Sequence, residues 1–228
     1  MTQVRDKILE AGLTHVPFDG WSEVSFAAAV ADVDVPMSEA RVLFPRGAVD
    51  MALAFHRRGD AGLAQALDAA DLGAMRFRDR VAYAVRVRLE LVEDHKEAVR
   101  RAATLFALPI YGADGAKMVW ETADAIWCGL GDTSQDLNWY TKRVTLSGVY
   151  STTLLYWLGD TSEGHRATWE FLDRRIGDVM RIEEMKARVR SNAILKPFAE
   201  GFERFAAKVK PPRRAGQDDL PGRWTPPA

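Results

Sequence analysis

The histidines are the first residues to consider for chemistry, because imidazole binds metals and transfers protons near neutral pH. They stand far apart, at positions 15, 56, 95 and 165. We find no histidine with a partner at the i+4 spacing of a helical metal site, and no Glu-x-x-His pair of the kind that holds di-iron in a bundle. The EDH run at 93–95 would spread its side chains around a helix, so a solvated face is expected there. The pattern therefore predicts no metal centre.

Motifs for phosphate binding and nucleophilic catalysis are also missing from the sequence. It contains no Gly-rich phosphate loop, no GxSxG turn and no Cys–His signature. Cys128 is the only cysteine, which excludes an internal disulfide and fits a reducing compartment. No residue pattern nominates an enzyme, and we expect no cofactor. Because catalytic residues can be far apart in sequence, an enzyme with an undetected site stays as an alternative.

The stretch DTSQDLNWYTKR, residues 132–143, carries a different kind of signal. Its Thr133 and Asp136 have the spacing of a helix capping box, so Trp139 and Tyr140 fall at a helix start. Adjacent helical side chains point about 100° apart, so one core pocket does not easily take both rings. Trp and Tyr dominate the binding energy of protein interfaces, which makes this a candidate contact site. The alternative is that Trp139 packs inside and Tyr140 covers it.

The C-terminal segment NAILKPFAEGFERFAAKVK, residues 192–210, has one apolar face and a local excess of positive charge. From Lys186 to Arg214 we count nine basic and two acidic residues, a charge of +7 in a chain that is −1 overall. A basic amphipathic helix suits the surface of an anionic bilayer, although packing on the protein's own core is the alternative. The predicted membrane-binding residues are Leu195, Phe198, Phe202, Phe205, Val209 and Lys208.

The segment SGVYSTT, residues 147–153, places small and hydroxylated residues inside an otherwise bulky helix. Small residues usually allow two helices to cross closely, but they also leave space for a ligand. An apolar lipid pocket is one interpretation, and plain core packing is the other. The candidate lining residues are Leu105, Phe106, Met118, Trp120, Trp127, Tyr150, Tyr156 and Trp157.

The elements that must position these residues are helical almost throughout. Two breaks are expected, at HVPFDG (15–20) and at YGADGAK (111–117), and RRGDAG (57–62) would allow a kink. VRVRLEL (85–91) alternates like a strand but also forms a helical stripe, and we interpret it as helix. The predicted helices cover 3–15, 22–31, 37–43, 47–70, 76–95, 96–108, 118–130, a stretch ending near 158, 165–190, and a last segment that begins near Pro197. The sequence therefore predicts an all-α fold.

Composition and charge narrow the possible partners. The net charge of −1 gives the chain no general affinity for nucleic acid or anionic membranes. No apolar run reaches the roughly 18 residues of a membrane span, and the start at Met1 lacks a signal or transit peptide. We expect a cytoplasmic protein, peripheral on the inner membrane of a bacterium, or on the mitochondrial matrix side if it is eukaryotic.

The arrangement of short helices at 3–15, 22–31 and 37–43 resembles the helix-turn-helix head of the TetR repressor family, and FPRGAVDMALAFH resembles the start of that family's fourth helix. SEARVLF stands where the family has Gly and Thr-Leu-Tyr. Arg41 is the only strong base reader, and Glu39 would repel phosphate. We expect a degenerate head that does not bind DNA. A TetR-type regulator with an apolar effector is the alternative.

Three blocks of the sequence carry a second resemblance. The core D-x-NWYT-[KR]-R followed by Y-x-TT, together with TWEFLDRRIGDVM and HVPFDGWS, resembles the lipid-binding accessory proteins of coenzyme Q (ubiquinone) biosynthesis, the ninth member of the yeast Coq series. The resemblance implies a non-catalytic, TetR-like all-α protein. It implies a bound lipid or quinone-like isoprenoid, a membrane-engaging C-terminal helix and a docking patch for a ring hydroxylase of di-iron or flavin type.

The resemblance also assigns residues and regions. Trp139 and Tyr140 map onto the docking patch directly, and Asp136 and Ile126 map onto it less closely. A homodimer is expected by analogy with TetR proteins. The predicted organisation is a helix-turn-helix-like part over 1–70, a helical ligand-binding part over 71–190, an amphipathic membrane helix over 191–210 and a disordered tail over 211–228.

Overall fold

The computed structural model describes residues 2–134 and 137–191, with side chains over 3–134 and 137–181. Within those residues the regular structure is entirely helical, which confirms the predicted all-α class. Short 3₁₀ turns lie at Leu72–Ala74, Glu93–His95, Pro109–Tyr111 and Glu163–His165. The α-helices are α1 (Thr2–Asp19), α2 (Glu23–Asp32), α3 (Met37–Leu43), α4 (Ala48–Ala69), α5 (Phe77–Glu90), α6 (Lys96–Phe106), α7 (Gly112–Gly129), α8 (Leu137–Gly159) and α9 (Arg166–Ser191).

Most helix ends follow the signals in the sequence. Ser22 caps α2, and its hydroxyl accepts a hydrogen bond from the backbone N–H of Ser25. The ambiguous stretch at 85–91 lies in α5, with Val81, Val85 and Leu89 buried on one face. This segment is helical because burial of that apolar face outweighs the local alternation of apolar and charged residues.

The predicted breaks at 15–20 and 111–117 are shorter than expected, and the kink allowed at 57–62 does not form. The helix α1 continues through Pro17 to Asp19, and it ends where Gly20 takes a φ of +68°. A proline near the last turn removes only one N–H donor, so the helix tolerates it there. The helix α7 already begins at Gly112, so the prediction of a turn over 111–117 was wrong for most of that stretch. The helix α4 runs unbroken through 57–62.

The helices enclose one continuous core, which extends in sequence from Ile8 to Ile176 among the described residues. Helix α1 packs against α2 and α6, and α4 packs against α5 and α7. Helix α8 lies between α7 and α9. This arrangement brings α4, α5, α7 and α8 together at the centre of the fold.

No helix in the described part of the chain is both long enough and apolar enough to cross a bilayer. The predicted membrane helix, the last helix near Pro197 and the tail fall at 192–228, outside the described residues.

Candidate functional site

A cavity of about 250 Å³ lies between helices α4 to α8. Its walls are mostly carbon, and it opens where Ala107 and Leu155 are exposed to solvent. Ligand sites are usually concave and apolar with a few placed polar groups, and this cavity has that character. The apolar lining consists of Ala52, Phe55, Val92, Val99, Ala102, Ala103, Phe106, Ala107, Gly115, Met118, Val119, Leu154 and Leu155.

One wall of the cavity is polar. His56, Arg88, Tyr150 and Ser151 line it. Arg88, whose side chain is only 2% exposed, donates from Nε to Asp60 Oδ1 at 2.7 Å and from Nη2 to the backbone oxygen of His56 at 3.0 Å. A buried guanidinium needs such partners, because an unpaired charge in a low-dielectric interior is strongly destabilising.

Thr122 joins this polar wall to helix α7. Its fully buried hydroxyl donates to Asp60 Oδ1 at 2.9 Å and lies 2.8 Å from His56 Nε2. The group formed by His56, Asp60, Arg88, Thr122 and Tyr150 is called the polar cluster below. Its members come from four helices, so the cluster fixes α4, α5, α7 and α8 relative to one another.

The environment of the polar cluster changes how its members titrate. Burial, and then the positive charge of Arg88, lower the pKa of His56 to about 4, so its imidazole is neutral at physiological pH. Burial raises the pKa of the Tyr150 hydroxyl, which therefore stays protonated. Arg88 and Asp60 form an ion pair, and the cluster as a whole carries no net charge near pH 7.

Gly59 makes the position of Arg88 possible. A Cβ placed on residue 59 would lie 2.6 Å from the Arg88 Cζ atom. A glycine inside a helix usually destabilises it by roughly 0.5–1 kcal/mol relative to alanine, so its presence here is explained by the close approach. The RRGDAG stretch therefore encodes a packing site rather than a kink.

The polar cluster was not predicted from the sequence, and the prediction that no histidine has an i+4 partner was wrong. His56 does have an i+4 partner, since Asp60 Oδ2 lies 3.4 Å from His56 Nε2. The glycine between them was the other available signal. Among the described residues no three His, Cys, Asp or Glu side chains converge on a metal position, so this pair belongs to the polar cluster.

Three of the eight residues predicted for a lipid pocket, Phe106, Met118 and Tyr150, line the cavity. Tyr156 does not, because six helical positions turn it about 240° away from Tyr150; it is 40% exposed and stacks on Phe171 with centroids 4.5 Å apart. Trp157 shares the face of Tyr150 but lies about 10.5 Å further along the helix. It is fully buried beside Lys96.

The remaining predicted lining residues also lie elsewhere. Leu105 is half-buried against the core, on a face of α6 that the cavity does not reach. Trp120 and Trp127 stand two and nine positions from Met118, which turns them about 200° and 180° away from it on α7. The predicted pocket thus mixed residues of three different surfaces.

The structure brings Trp120, Trp139 and Tyr140 together in a half-buried aromatic cluster. The rings of Trp139 and Tyr140 meet edge to face with centroids 4.7 Å apart, and the Trp120 centroid lies 5.7 Å from that of Trp139. Neither Trp139 nor Tyr140 is sealed in the core, as expected from their adjacency at a helix start. Each ring is held by neighbours while part of it faces outward, which suits an interface anchor.

Charged residues fix this aromatic cluster from below. The Arg143 guanidinium lies 4.0 Å from the centroid of the Trp139 ring and donates to Asp124 at 2.6 Å and Asp132 at 3.1 Å. Lys142 Nζ lies 2.7 Å from Asp132 Oδ1. Burial alone would raise the pKa of Asp132, but hydrogen bonds from Lys142, Ser134 and Arg143 outweigh it and lower that pKa to about 2.

Two further residues, Ile126 and Asp136, were predicted for the docking patch. Ile126 is fully buried on the inner face of α7. It cannot contact a partner directly, and the prediction of a surface role was wrong because its face of α7 packs into the core. Asp136, which is also one half of the predicted capping box, lies outside the described residues.

A second opening, an apolar groove of about 500 Å³, runs between α5, α7, α8 and α9. Phe77 and Trp127 stack at one side with centroids 5.8 Å apart, and Val179 and Met180 of α9 line the other. The groove was not predicted from the sequence, because its residues come from four helices, α5, α7, α8 and α9, that are distant in sequence. All six predicted membrane-binding residues, at 195–209, lie outside the described part of the chain.

The first three helices hold Arg41, the candidate base reader, in place. Arg41 forms an ion pair with Glu23, and its guanidinium lies 4.8 Å from the centroid of the Phe26 ring. Gly47, at a φ of +55°, allows Glu23 to approach, since a Cβ there would lie 2.4 Å from Glu23 Oε1. An arginine paired with a carboxylate offers fewer donors to a base edge.

Comparison with known proteins places this architecture. A model of the COQ9 family matches residues 112–183. The chain is 34% identical over 186 residues to the mitochondrial ubiquinone biosynthesis protein COQ9 of Drosophila melanogaster, covering 80% of this chain and 57% of that protein. It is 31% identical over 215 residues to the COQ9 of Rattus norvegicus, covering 91% and 68%.

A solved structure shares the fold. A TetR transcriptional regulator from Nitrosomonas europaea superposes with a TM-score of 0.64 at 19% identity, over 77% of this chain and 97% of that one. At this identity the likeness concerns the fold alone, and it confirms the TetR-like architecture expected from the first helices.

Proposed function

The chain belongs to the COQ9 family of ubiquinone biosynthesis proteins, and from this premise we propose that it is a non-catalytic lipid carrier. It binds an isoprenoid quinone precursor and presents it to a ring hydroxylase at the membrane. The observation that carries the proposal is the apolar cavity between α4 and α8, which opens at Leu155. Moving a polyprenyl chain through water costs about 0.8 kcal/mol per CH₂, so a carrier must shelter it.

The aromatic cluster of Trp120, Trp139 and Tyr140 is the proposed docking site for the hydroxylase. It combines half-exposed indole and phenol rings with a buried charged support at Arg143. This combination gives large contact area with little side-chain entropy left to lose on binding. The hydroxylase would supply the chemistry, through its own metal or flavin, while this chain would make or break no bond.

Two proposals concern membrane and assembly. The segment at 192–210, which combines regularly spaced apolar residues with an excess of basic ones, is proposed to engage anionic lipid. Deletion of residues 192–228 should therefore reduce sedimentation with phosphatidylglycerol vesicles. Unchanged sedimentation would contradict it. A homodimer through α8 and α9 is proposed by analogy with TetR proteins, and Val144 and Tyr156 remain exposed on α8. Sedimentation equilibrium of the full chain would test it, and a monomer at micromolar concentration would contradict it.

The lipid proposal is tested by extracting the purified full chain with organic solvent and identifying its lipids by mass spectrometry. A prenylated phenol or quinone near stoichiometry is the expected result. A chain that carries no lipid, and binds none on exposure to membranes, would overturn the proposal.

A further inference from the structure

Helix α6 ends at the mouth of the cavity, and the turn that follows it carries exposed apolar residues. Residues 107–110 have the sequence ALPI, and all four are exposed to solvent. Ala107 lines the cavity, as does Leu155, which lies on α8 and is 63% exposed. Residues 107–110 and Leu155 are called the cavity rim below. The proposed carrier function accounts for the cavity itself but not for the aliphatic side chains that its rim presents to water.

The stretch around this turn carries no charge. No charged residue lies between Arg101 and Asp114, in a chain of which 28% is charged. Single exposed apolar residues are normal on a protein surface, and Phe18, Val24 and Val42 of the first three helices each adjoin a charged residue in the chain. A run of four exposed apolar residues inside an uncharged stretch is instead typical of a contact site for an apolar partner.

The backbone of the turn is suited to an apolar environment. The N–H groups of Leu108 and Tyr111 donate to the carbonyl oxygens of Leu105 at 3.2 Å and of Leu108 at 2.9 Å. The N–H of Gly112 donates to the oxygen of Pro109, and Pro109 itself has no N–H. Unpaired backbone groups are strongly unfavourable in lipid, so a turn whose backbone donors are mostly paired can enter the interfacial layer of a bilayer with a small penalty.

Packing holds both ends of the turn beside the opening. Gly115, which lines the cavity from α7, approaches Phe106 so closely that a Cβ on residue 115 would lie 3.0 Å from the Phe106 Cβ. Asp114 accepts a hydrogen bond from Arg46 Nη1 at 2.8 Å, which ties the start of α7 to the segment before α4. The exposed apolar residues therefore belong to the fixed structure of the mouth.

The route of the ligand decides what covers the cavity rim. A polyprenyl chain is strongly disfavoured in water, so it enters the cavity most easily when the mouth meets the bilayer directly. Asp114, the first acidic residue after the turn, is paired with Arg46 and presents little free negative charge to lipid head groups. The rim therefore fits the apolar layer of a membrane, in contrast to the basic segment at 192–210, which depends on lipid charge.

We propose that the cavity rim inserts into the interfacial layer of a bilayer and places the mouth of the cavity against the hydrocarbon. This inference rests on the proposed carrier function and adds a second, uncharged membrane contact to that of residues 192–210. The two contacts differ in their response to salt. Salt screens the contact of the basic segment and leaves the apolar contact of the rim in place.

The test attaches the environment-sensitive fluorophore NBD to single cysteines of the full chain. Cys128→Ser removes the only thiol, and Ile110→Cys, at a site that is 77% exposed, then reports on the rim. Vesicles of phosphatidylcholine and phosphatidylglycerol should shift its emission to shorter wavelength, and nitroxide-labelled phosphatidylcholine should quench it. Val42→Cys, 68% exposed on α3, is the matched control and should show neither change. If Ile110→Cys does not fold, Leu155→Cys takes its place with the same expected result.

Sedimentation of the same labelled proteins with the vesicles separates the inference from the function on which it rests. A chain that sediments while the label on the rim stays unchanged would keep the membrane association and overturn the inference. A chain that does not sediment would overturn both. A change caused by a ubiquinone-pathway hydroxylase and not by vesicles would mean that a protein covers the rim, which also overturns the inference.

A second measurement removes the apolar side chains of the turn. The double variant Leu108→Ser, Ile110→Ser should partition onto the same vesicles about tenfold more weakly than the wild type. The loss should persist at high salt, where the contact of residues 192–210 is screened. Partitioning equal to that of the wild type at high salt, in a variant with an unchanged thermal melt, would contradict the inference.

Discussion

The Arg88 guanidinium lies so close to Gly59 that a Cβ on residue 59 would stand 2.6 Å from its Cζ atom. This contact links a glycine inside α4 to the ion pair of Arg88 with Asp60. It explains why α4 contains a glycine, a residue that weakens helices. It also means that a substitution at Gly59 tests where the polar cluster lies.

Gly59→Ala should destabilise the fold by about 1–3 kcal/mol, because the added methyl group overpacks the site and displaces a buried, paired guanidinium. Urea denaturation followed by far-UV circular dichroism measures this change. Gly62→Ala is the matched control on the same helix, since a Cβ there meets Leu91 at an ordinary 3.4 Å. That variant should be neutral or more stable by up to about 1 kcal/mol. Equal effects at both positions would contradict the account.

Stability should fall as the pH drops below the ordinary pKa of histidine. The pKa of His56 is lowered from 6.5 to about 4 in the folded state, so the unfolded chain binds the additional proton within that window. The contribution of His56 is a loss of roughly 3 kcal/mol of unfolding free energy, accumulated between pH 6.5 and pH 4.

His56→Gln removes this titration. The readout is the slope of the unfolding free energy against pH, because the variant also loses the contact with Thr122 and is less stable overall. The slope between pH 6.5 and pH 4 should become shallower than in the wild type. An identical slope in the two proteins would mean that His56 is not held neutral by its surroundings.

The charged support of the aromatic cluster should be energetically important. Asp132→Asn leaves Arg143 and Lys142 with weakened pairing in a buried site, so we expect a loss of about 2–4 kcal/mol in thermal or urea unfolding. Asp114→Asn breaks the more exposed pair with Arg46, at 2.8 Å, and should cost less than about 1 kcal/mol. A smaller effect at Asp132 than at Asp114 would contradict this ranking.

The pKa of Asp132 is lowered to about 2 in the folded state, so the stabilisation from its pairing with Arg143 and Lys142 depends on pH. The unfolded carboxylate binds its proton first as the pH falls, so the stabilisation is fully present above about pH 4 and is lost toward pH 2. The difference in unfolding free energy between the wild type and Asp132→Asn should therefore become smaller only between about pH 4 and pH 2.

The proposed docking role of the aromatic cluster is tested by Trp139→Ala in a pull-down of a ubiquinone-pathway hydroxylase. Truncating an interface indole should weaken binding by at least about tenfold. Trp169→Ala is the control, because Trp169 is also half-buried beneath an arginine, with Arg86 5.0 Å from its ring centroid. It should retain binding. Equal losses in both variants would indicate a general effect on the fold.

Periodicity in the sequence was enough to predict the helical class and most helix ends, because burial of an apolar stripe leaves a direct trace along the chain. It failed where local signals and tertiary packing disagree. Pro17 and Gly112 have the composition of breaks, but Pro17 lies inside α1 and Gly112 is the first residue of α7. Gly59 suggested a kink in α4. The structure explains this glycine by the close approach of Arg88, which lies on α5.

The candidate site was only partly predictable for a related reason. The adjacency of Trp139 and Tyr140 fixes their different directions on one helix, so a surface position for part of this pair followed from geometry. The polar cluster joins residues more than sixty positions apart, such as His56 and Thr122, and no local pattern records that contact. Counting helical turns from Tyr150 would have excluded Tyr156 from the cavity, a step the sequence already allowed.

The most direct test of the carrier hypothesis fills the cavity. Ala103→Phe places a ring on the cavity wall, and Thr104→Phe places the same ring on the exposed side of α6. Lipid co-purifying with each full-length protein is then quantified by mass spectrometry against the wild type. The account predicts prenylated lipid near stoichiometry in the wild type and in Thr104→Phe, and little in a folded Ala103→Phe. Equal lipid content in all three proteins, or none in the wild type, would contradict it.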